Sequence, residues 1–306
     1  MIQIRPVRSD QPPADALVAA MVAELRQLYG ALELRDAPSA NPDELWAPHG
    51  TYLVVFAGGE PGAGGGLKAL KPGVAEVKRM FVTEPARGHG YARWLLSALE
   101  DAARALGHTR LRLDTGPRQP FARALYESAG YRSIAAYNDN YAASFWGEKR
   151  LDVSPLVLRA EPAKAERLLA VQRAAYAAEA ELMGCDGIPP LHERLEELLE
   201  LERQRWLGRF EGSTLVGGLA WEEAGAAGID LLRLVVAPSE WRRGHATALL
   251  DAFDELVGPR PVSVATGSAN APALALYARR GFRVTGEEEI APDVRLTRLL
   301  RPGVPG

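Results

Sequence analysis

The sequence predicts an α+β protein made of two copies of one domain, each a mixed central β-sheet flanked by helices. Three observations predict it. First, the stretch AEVKRMFVTEPARGHGYARWLL, followed later by QPFARALYESAGY, has a counterpart in IDLLRLVVAPSEWRRGHATALL and NAPALALYARRGF. Each reads as strand, glycine turn, helix and then a tyrosine-bearing helix. Second, Gly90 and Gly244 lie 154 residues apart and Tyr126 and Tyr277 lie 151 apart. A period this long exceeds the roughly 20–50 residues of a solenoid unit and means a duplicated domain. Third, strands and helices do not alternate strictly within a copy, which separates it from a doubly wound Rossmann sheet.

The elements follow from local pattern. Ile2 to Arg5 alternates as a short strand. Leu17, Val18, Met21, Val22, Leu25 and Leu28 recur at three- and four-residue spacing and make Asp15 to Tyr29 an amphipathic helix. Thr51 to Ala57 is a β-rich run, and the glycine-dense GGEPGAGGG turns it back into a strand near Leu67 to Leu70. Glu76 to Val82 is the next strand and Ala92 to Leu106 a periodic helix. Leu111 to Asp114 is a strand, Phe121 to Ala129 a helix, and Tyr131 to Ala136 and Ala143 to Leu151 close the first copy. The second copy repeats this order. Strand Leu156 to Arg159 and helix Ala163 to Ala180 lead to an acidic helix, Leu191 to Gln204. A hairpin follows, Arg205 to Phe210 with Leu215 to Trp221. Next come strand Ile229 to Val236, helix Thr247 to Leu256, strand Val262 to Ala265 and helix Ala273 to Arg280. Phe282 to Thr285 and Val294 to Leu300 finish it. The boundary is expected between residues 152 and 153, giving domains 1–152 and 153–306.

The 306 residues, 47% apolar and 25% charged, suit two ordinary globular domains. A formal net charge of −3 offers no global attraction to nucleic acid or to an anionic membrane. The single cysteine, Cys185, excludes an internal disulfide framework. MIQIRPVRSDQ holds no apolar core of signal-peptide length, and no apolar run reaches membrane-span length. A cytoplasmic location is expected, with no nucleic-acid, membrane or metal partner.

The glycine loops carry the chemistry. In the first copy, strand Val77 to Val82 runs through Arg87-Gly88-His89-Gly90-Tyr91-Ala92 into a helix. Gly88, Gly90 and Ala92 let the backbone approach a ligand closely. The first amides of the helix lack intrahelical partners and carry the positive end of its dipole, an arrangement suited to a phosphate or pyrophosphate. Arg87 adds charge, and His89 and His245 are expected as neighbours of that phosphate. The glycines also serve a tight strand-to-helix turn, a role one loop alone would not distinguish from binding. The loop is not a P-loop, since the Lys-Ser/Thr ending is missing.

The loop R-x-x-G-x-A at Arg87, Gly90 and Ala92, the strand before it and the later A-x-x-L-Y helix resemble the GNAT superfamily of acyl-CoA-dependent N-acetyltransferases, twice in tandem over nearly the whole chain. The family pattern is Q/R-x-x-G-x-G/A. The second copy reads Trp241, Arg242, Arg243, Gly244, His245, Ala246 and Thr247, with tryptophan where the pattern has Gln or Arg. The resemblance implies acetyl-CoA as cosubstrate and acetyl transfer to a primary amine, by direct attack through a tetrahedral intermediate. The more complete cofactor site is then expected in the first copy, with a non-catalytic second copy or an acyl-CoA sensor as alternatives. It further implies that backbone amides of Met80, Phe81 and Val82, and of Leu234, Val235 and Val236, hold the thioester and pantetheine. Tyr126 and Tyr277 stand where the family places the acid that protonates the leaving thiolate, and Gln119 and Asn270 where it places a helix-cap and CoA contact. An amine nucleophile needs a base. Glu76 and Asp230, each six residues before the end of its strand, are the matched candidates, with solvation of the strand edge as the other reading. The acceptor is expected to be a small-molecule amine. It would be read by Asp36 to His49 and Tyr137 to Tyr141 in the first copy, and by Glu179 to Leu191 and Glu287 to Asp293 in the second. There Glu181, Asp186, Glu287, Glu288, Glu289 and Asp293 could attract a cation or simply face water. The chain is expected to act as a monomer with an internal pseudo-dimer, or as a homodimer.

Overall fold

A computed structural model describes residues 2–30, 40–183, 189–225, 228–291 and 294–303. The chain divides into two units, Met1–Ser154 and Pro155–Gly306. The first comprises β1 (Ile2–Pro6), α1 (Ala14–Tyr29), β2 (Gly50–Ala57), β3 (Glu60–Lys71), β4 (Val74–Val82), α2 (Tyr91–Ala105), β5 (Arg110–Thr115), α3 (Pro120–Ser128), β6 (Arg132–Ser133) and β7 (Phe145–Arg150). Its seven strands lie in the order β1-β2-β3-β4-β5-β7-β6. The second unit follows with β8 (Val153–Leu156), α4 (Pro162–Met183), α5 (Leu195–Glu200), β9 (Arg205–Glu211), β10 (Thr214–Glu223), β11 (Ile229–Val236), α6 (His245–Val257), β12 (Val262–Gly267), α7 (Ala271–Arg279), β13 (Arg283–Ala291) and β14 (Val294–Arg301). Its order, β8-β9-β10-β11-β12-β14-β13, matches the first strand for strand.

Each sheet is antiparallel except for one parallel pair, β4 with β5 and β11 with β12. A parallel neighbour needs a crossover, and α2 and α6 supply it. In α2 the apolar residues Leu95, Leu96, Leu99 and Ala103 recur at helical spacing and are fully buried against Val77, Leu111 and Leu113. Leu249, Leu250 and Phe253 do the same on α6. Among the described residues no helix is long and apolar enough to cross a membrane.

Four local expectations need correction. The glycine-dense segment is not all turn: only Gly58 and Gly59 reverse the chain, and Gly62 to Gly66 lie inside β3. Side chains press on both faces there. A Cβ on Gly64 would lie 2.6 Å from Tyr52 Oη, and one on Gly66 would lie 2.7 Å from a Leu45 methyl. The acidic helix of the second half shrinks to α5, because Pro189 and Pro190 start a 3-10 turn and Arg194 is extended. The strand expected over Leu156 to Arg159 lies earlier, as β8, and gives way to a 3-10 turn over Leu158–Ala160. The strand expected over Tyr131 to Ala136 is only two residues long. The chain after it leaves the sheet edge to carry Tyr137, Asn138 and Asn140 onto buried acids of the sheet.

Candidate active site

The sites begin where the parallel pairs come apart. β4 is laddered to β5 only from Val74 to Glu76, and β11 to β12 only from Ile229 to Leu231. A bulge follows in each strand. In the first half it falls opposite Gly65, where Arg79 adopts φ 56°; in the second it falls between Ala220 and Trp221 of the facing strand. A bulge bends a strand and increases its twist, so the strand turns away from its parallel neighbour. Met80 to Val82 and Leu234 to Val236 therefore lie beyond the ladder, with one backbone edge unpaired by β5 or β12.

Each strand then passes through a 3-10 turn, Glu84–Ala86 or Pro238–Glu240, into its helix. Gly90 and Gly244 hold the residue before the helix at φ 80° and 84°. A Cβ on either would meet no protein atom within 4 Å, so the space over the helix end is clear. Gly88 is likewise left-handed at φ 80°, and Arg242 takes the matching position at φ 62°. The tryptophan that departs from the loop pattern repeats one contact of the arginine it replaces. Arg87 Nε donates to the Val82 carbonyl at 3.2 Å, and Trp241 Nε1 donates to the Val236 carbonyl at 2.8 Å. Trp241 thus ties loop to strand without the charge.

The charges are disposed differently in the two loops. Arg87 is paired with Glu24 of α1 and Arg243 with Glu240, whereas Arg242 makes no ion pair among the described residues. His89 is exposed, its Nδ1 2.9 Å from the Arg87 carbonyl and its ring stacked on Tyr91. His245 is 3% exposed. Its Nδ1 accepts from Arg209 Nε at 3.2 Å, which leaves the ring proton on Nε2, and that atom makes no hydrogen bond.

In the second half these parts enclose a cavity of about 730 Å³, within the usual range for ligand sites. Leu234, Val235 and Val236 line one wall; Arg242, Gly244, His245, Ala246 and Thr247 line the helix end. Asn270 and Tyr277 line the opposite side, joined by Tyr176 and Glu179 of α4. Arg243 is not among the lining residues. Tyr277 is 4% exposed. Burial, reinforced by Tyr176 and Glu179, pushes its phenol well above the ordinary value near 10. Burial, aided by Asp114, does the same for Tyr126, whose hydroxyl lies 3.9 Å from Met80 Sδ.

Asn270 caps α7 by accepting from the Ala273 amide at 3.1 Å, and its Nδ2 donates to Glu179 Oε1 at 2.8 Å. Gln119, its counterpart, does not cap. Its Oε1 accepts from Thr115 Oγ1 and the Gly116 amide and braces the turn between β5 and α3.

The two matched acids are both engaged. Glu76, 2% exposed, accepts from Tyr137 Oη at 2.8 Å and lies 3.0 Å from Lys78 Nζ. Asp230 accepts from Ser263 Oγ at 3.0 Å, at the laddered end of β11, and does not line the cavity. Glu179 does line it, and sequence reasoning passed over it as one residue of an acceptor segment, with nothing to separate it from the exposed Glu181. Glu287, Glu288 and Glu289 sit on β13 beside Arg295 and Arg298. Cys185, Asp186, Asp293 and Asp36 lie outside the described residues.

Comparison with known proteins places the chain in a family. The acetyltransferase (GNAT) family model matches residues 18–131 and again residues 173–282. Over 127 residues, 41% of this chain and 82% of the relative, the sequence is 35% identical to the IAA acetyltransferase of Azospirillum brasilense. Over 120 residues, 39% of this chain, it is 34% identical to the UPF0157 protein YqkA of Bacillus subtilis, of which the match spans 34%. Among solved structures, the PaiA N-acetyltransferase of Thermoplasma acidophilum in complex with coenzyme A aligns with 48% of this chain and 97% of its own, at 20% identity and a TM-score of 0.39. With the family model accounting separately for each half, the chain belongs to the acetyltransferase (GNAT) family and carries its domain twice.

Proposed function

We propose that this protein transfers an acetyl group from acetyl-CoA to the primary amine of a small molecule, in the cavity of its C-terminal half. The observation that carries this reading is that one cavity joins the open end of α6, the unpaired edge of β11 and the hydroxyl-bearing wall of α7. The residues fit the cosubstrate. The clear space over Gly244, the α6 amides and Arg242 suit a diphosphate, and His245 Nε2 is a buried donor that makes no hydrogen bond, 3.5 Å from Glu240 Oε2. The apolar Leu234 and Val236 suit an extended arm.

Acetyl-CoA supplies an acyl carbon activated by a thiolate leaving group. The chain supplies the rest. Backbone N–H groups on the free edge of β11 stabilise negative charge growing on the acyl oxygen. Tyr277, kept protonated by burial, gives its proton to the departing sulfur. Glu179, oriented by Asn270, takes the proton from the amine, directly or through one water.

The test is release of free CoA thiol from acetyl-CoA, measured against a panel of primary amines. Amine-dependent release supports the reading; acetyl-CoA consumption that no amine accelerates overturns it. Glu179→Gln is expected to lower kcat by about 10²-fold, in the range for a general base, while the Kd for acetyl-CoA by calorimetry stays within about twofold. Trp241→Ala removes the tie to the Val236 carbonyl. One hydrogen bond of about 0.5–1.5 kcal/mol predicts a Kd for acetyl-CoA raised by up to about tenfold, and Trp241→Arg should restore it.

A further inference from the structure

We infer that acyl-CoA binds once per chain, in the C-terminal half, and that the matching cleft of the N-terminal half is held shut by its own side chains. This rests on the acetyltransferase reading above and reverses what the loop motif suggests, since the N-terminal loop is the one that fits the family pattern throughout.

Strand register makes the two halves comparable residue by residue. Glu76 pairs with Arg112 as Asp230 pairs with Ser263. Counting two residues on, Lys78 matches Leu232 and Asp114 matches Ala265, with Leu232 standing in the bulge of β11, where the ladder to β10 passes from Leu231 to Arg233. Leu232 and Ala265 line the C-terminal cavity. Lys78 and Asp114 meet each other instead. Lys78 Nζ lies 2.8 Å from Asp114 Oδ2 and 3.0 Å from Glu76 Oε1, spanning the gap where β4 and β5 part, and the Lys78 and Asp114 side chains are only 10% and 9% exposed. Burial works against the ammonium, but Asp114 and Glu76 overcome it, so the affinity of Lys78 for its proton is raised and the bridge stays charged.

A loop fastens the bridge. Asn138 Nδ2 and Asn140 Nδ2 donate to the two oxygens of Asp114 at 2.7 and 2.9 Å, and Trp146 Nε1 donates to Asn138 Oδ1 at 2.9 Å. In the C-terminal half the corresponding stretch continues as β13, laddered along β14. At the other end of the cleft, the Arg118 amide donates to Tyr29 Oη at 3.0 Å, and a Cβ on Gly116 would fall 2.2 Å from that oxygen. An acyl chain entering between β4 and β5 would have to part a buried ion pair while offering it no new partner, and a buried charge stripped of its partner is strongly unfavourable.

Calorimetric titration of the full chain with acetyl-CoA tests this. The wild type is expected to bind one equivalent, and Gly244→Glu, which sets an anion over the α6 end, to bind none. The double variant Lys78→Leu, Asp114→Ala installs the C-terminal residues in the N-terminal gap and should raise the stoichiometry towards two. Two equivalents in the wild type, or one equivalent retained in Gly244→Glu, overturn the inference while leaving the acetyltransferase reading intact. A double variant that folds but still binds one equivalent overturns the role given to the bridge. Failure of the wild type to bind acetyl-CoA overturns the acetyltransferase reading itself. Should the double variant not fold, the other two proteins still decide the number of sites.

Discussion

Tyr277→Phe is expected to lower kcat by about 10²–10⁴-fold, the contribution typical of a positioned acid, with little change in acetyl-CoA affinity. Phenylalanine keeps the ring that packs at 5.4 Å on Phe282 and removes only the proton donor. The wall of the cavity therefore survives and the loss falls on turnover. The pH dependence has a definite sign. Burial raises the Tyr277 pKa above its ordinary value near 10, so the phenol holds its proton throughout the neutral range and beyond. Its deprotonation should contribute no falling limb to the rate profile below about pH 10. Single-turnover kinetics with a competent amine separates this loss from slower binding. Loss of turnover in Tyr126→Phe, with Tyr277→Phe fully active, would place the chemistry in the other half.

Lys149→Met should destabilise the N-terminal half by about 3–5 kcal/mol, the usual result of stripping one partner from a buried ion pair. Lys149 Nζ on β7 contacts both oxygens of Glu100 on α2 at 2.8–2.9 Å, and the two side chains are only 4% and 2% exposed. With the ammonium gone, Glu100 loses the cation that meets both of its oxygens and keeps the Tyr131 hydroxyl beside it in a buried site. Hydrogen exchange read by mass spectrometry localises the effect. Amides of α2 and β7 should lose protection while those of α6 keep it. Adding Glu100→Leu to Lys149→Met should recover most of the loss, because an apolar pair of similar volume carries no desolvation cost. A single variant with unchanged protection would mean that water reaches Glu100.

Much of the architecture was legible because its signals are local. The spacing of Leu95, Leu99 and Ala103 reads as a buried helix face, and the glycine loops read as tight strand-to-helix turns; the fold contains both, with Gly90 and Gly244 left-handed. Other features depended on partners distant in sequence. The glycines of β3 look like loop residues until Tyr52 and Leu45 are seen pressing on them. Asn138 and Asn140 read as part of an acceptor-binding segment until they are found on Asp114. Glu179 gains its place only through Asn270, 91 residues away.

By itself the sequence determined that the chain is a duplicated α+β domain of this family, because a repeated strand-loop-helix pattern and its glycines are properties of short segments read in order. It also set Tyr126 and Tyr277 at matching positions and favoured the first copy, whose loop fits the family pattern throughout. The tertiary structure shows how their surroundings differ. What fills the gap between two parting strands depends on side chains from both strands and from a loop beyond them: Lys78 meets Asp114 in one half, and Leu232 and Ala265 border an open cavity in the other. Tertiary structure likewise decided that Trp241 makes the contact that Arg87 makes in the first half, since an indole N–H reaches the matching strand-end carbonyl. A hydrogen bond is satisfied by a donor in the right place, and place is what folding supplies.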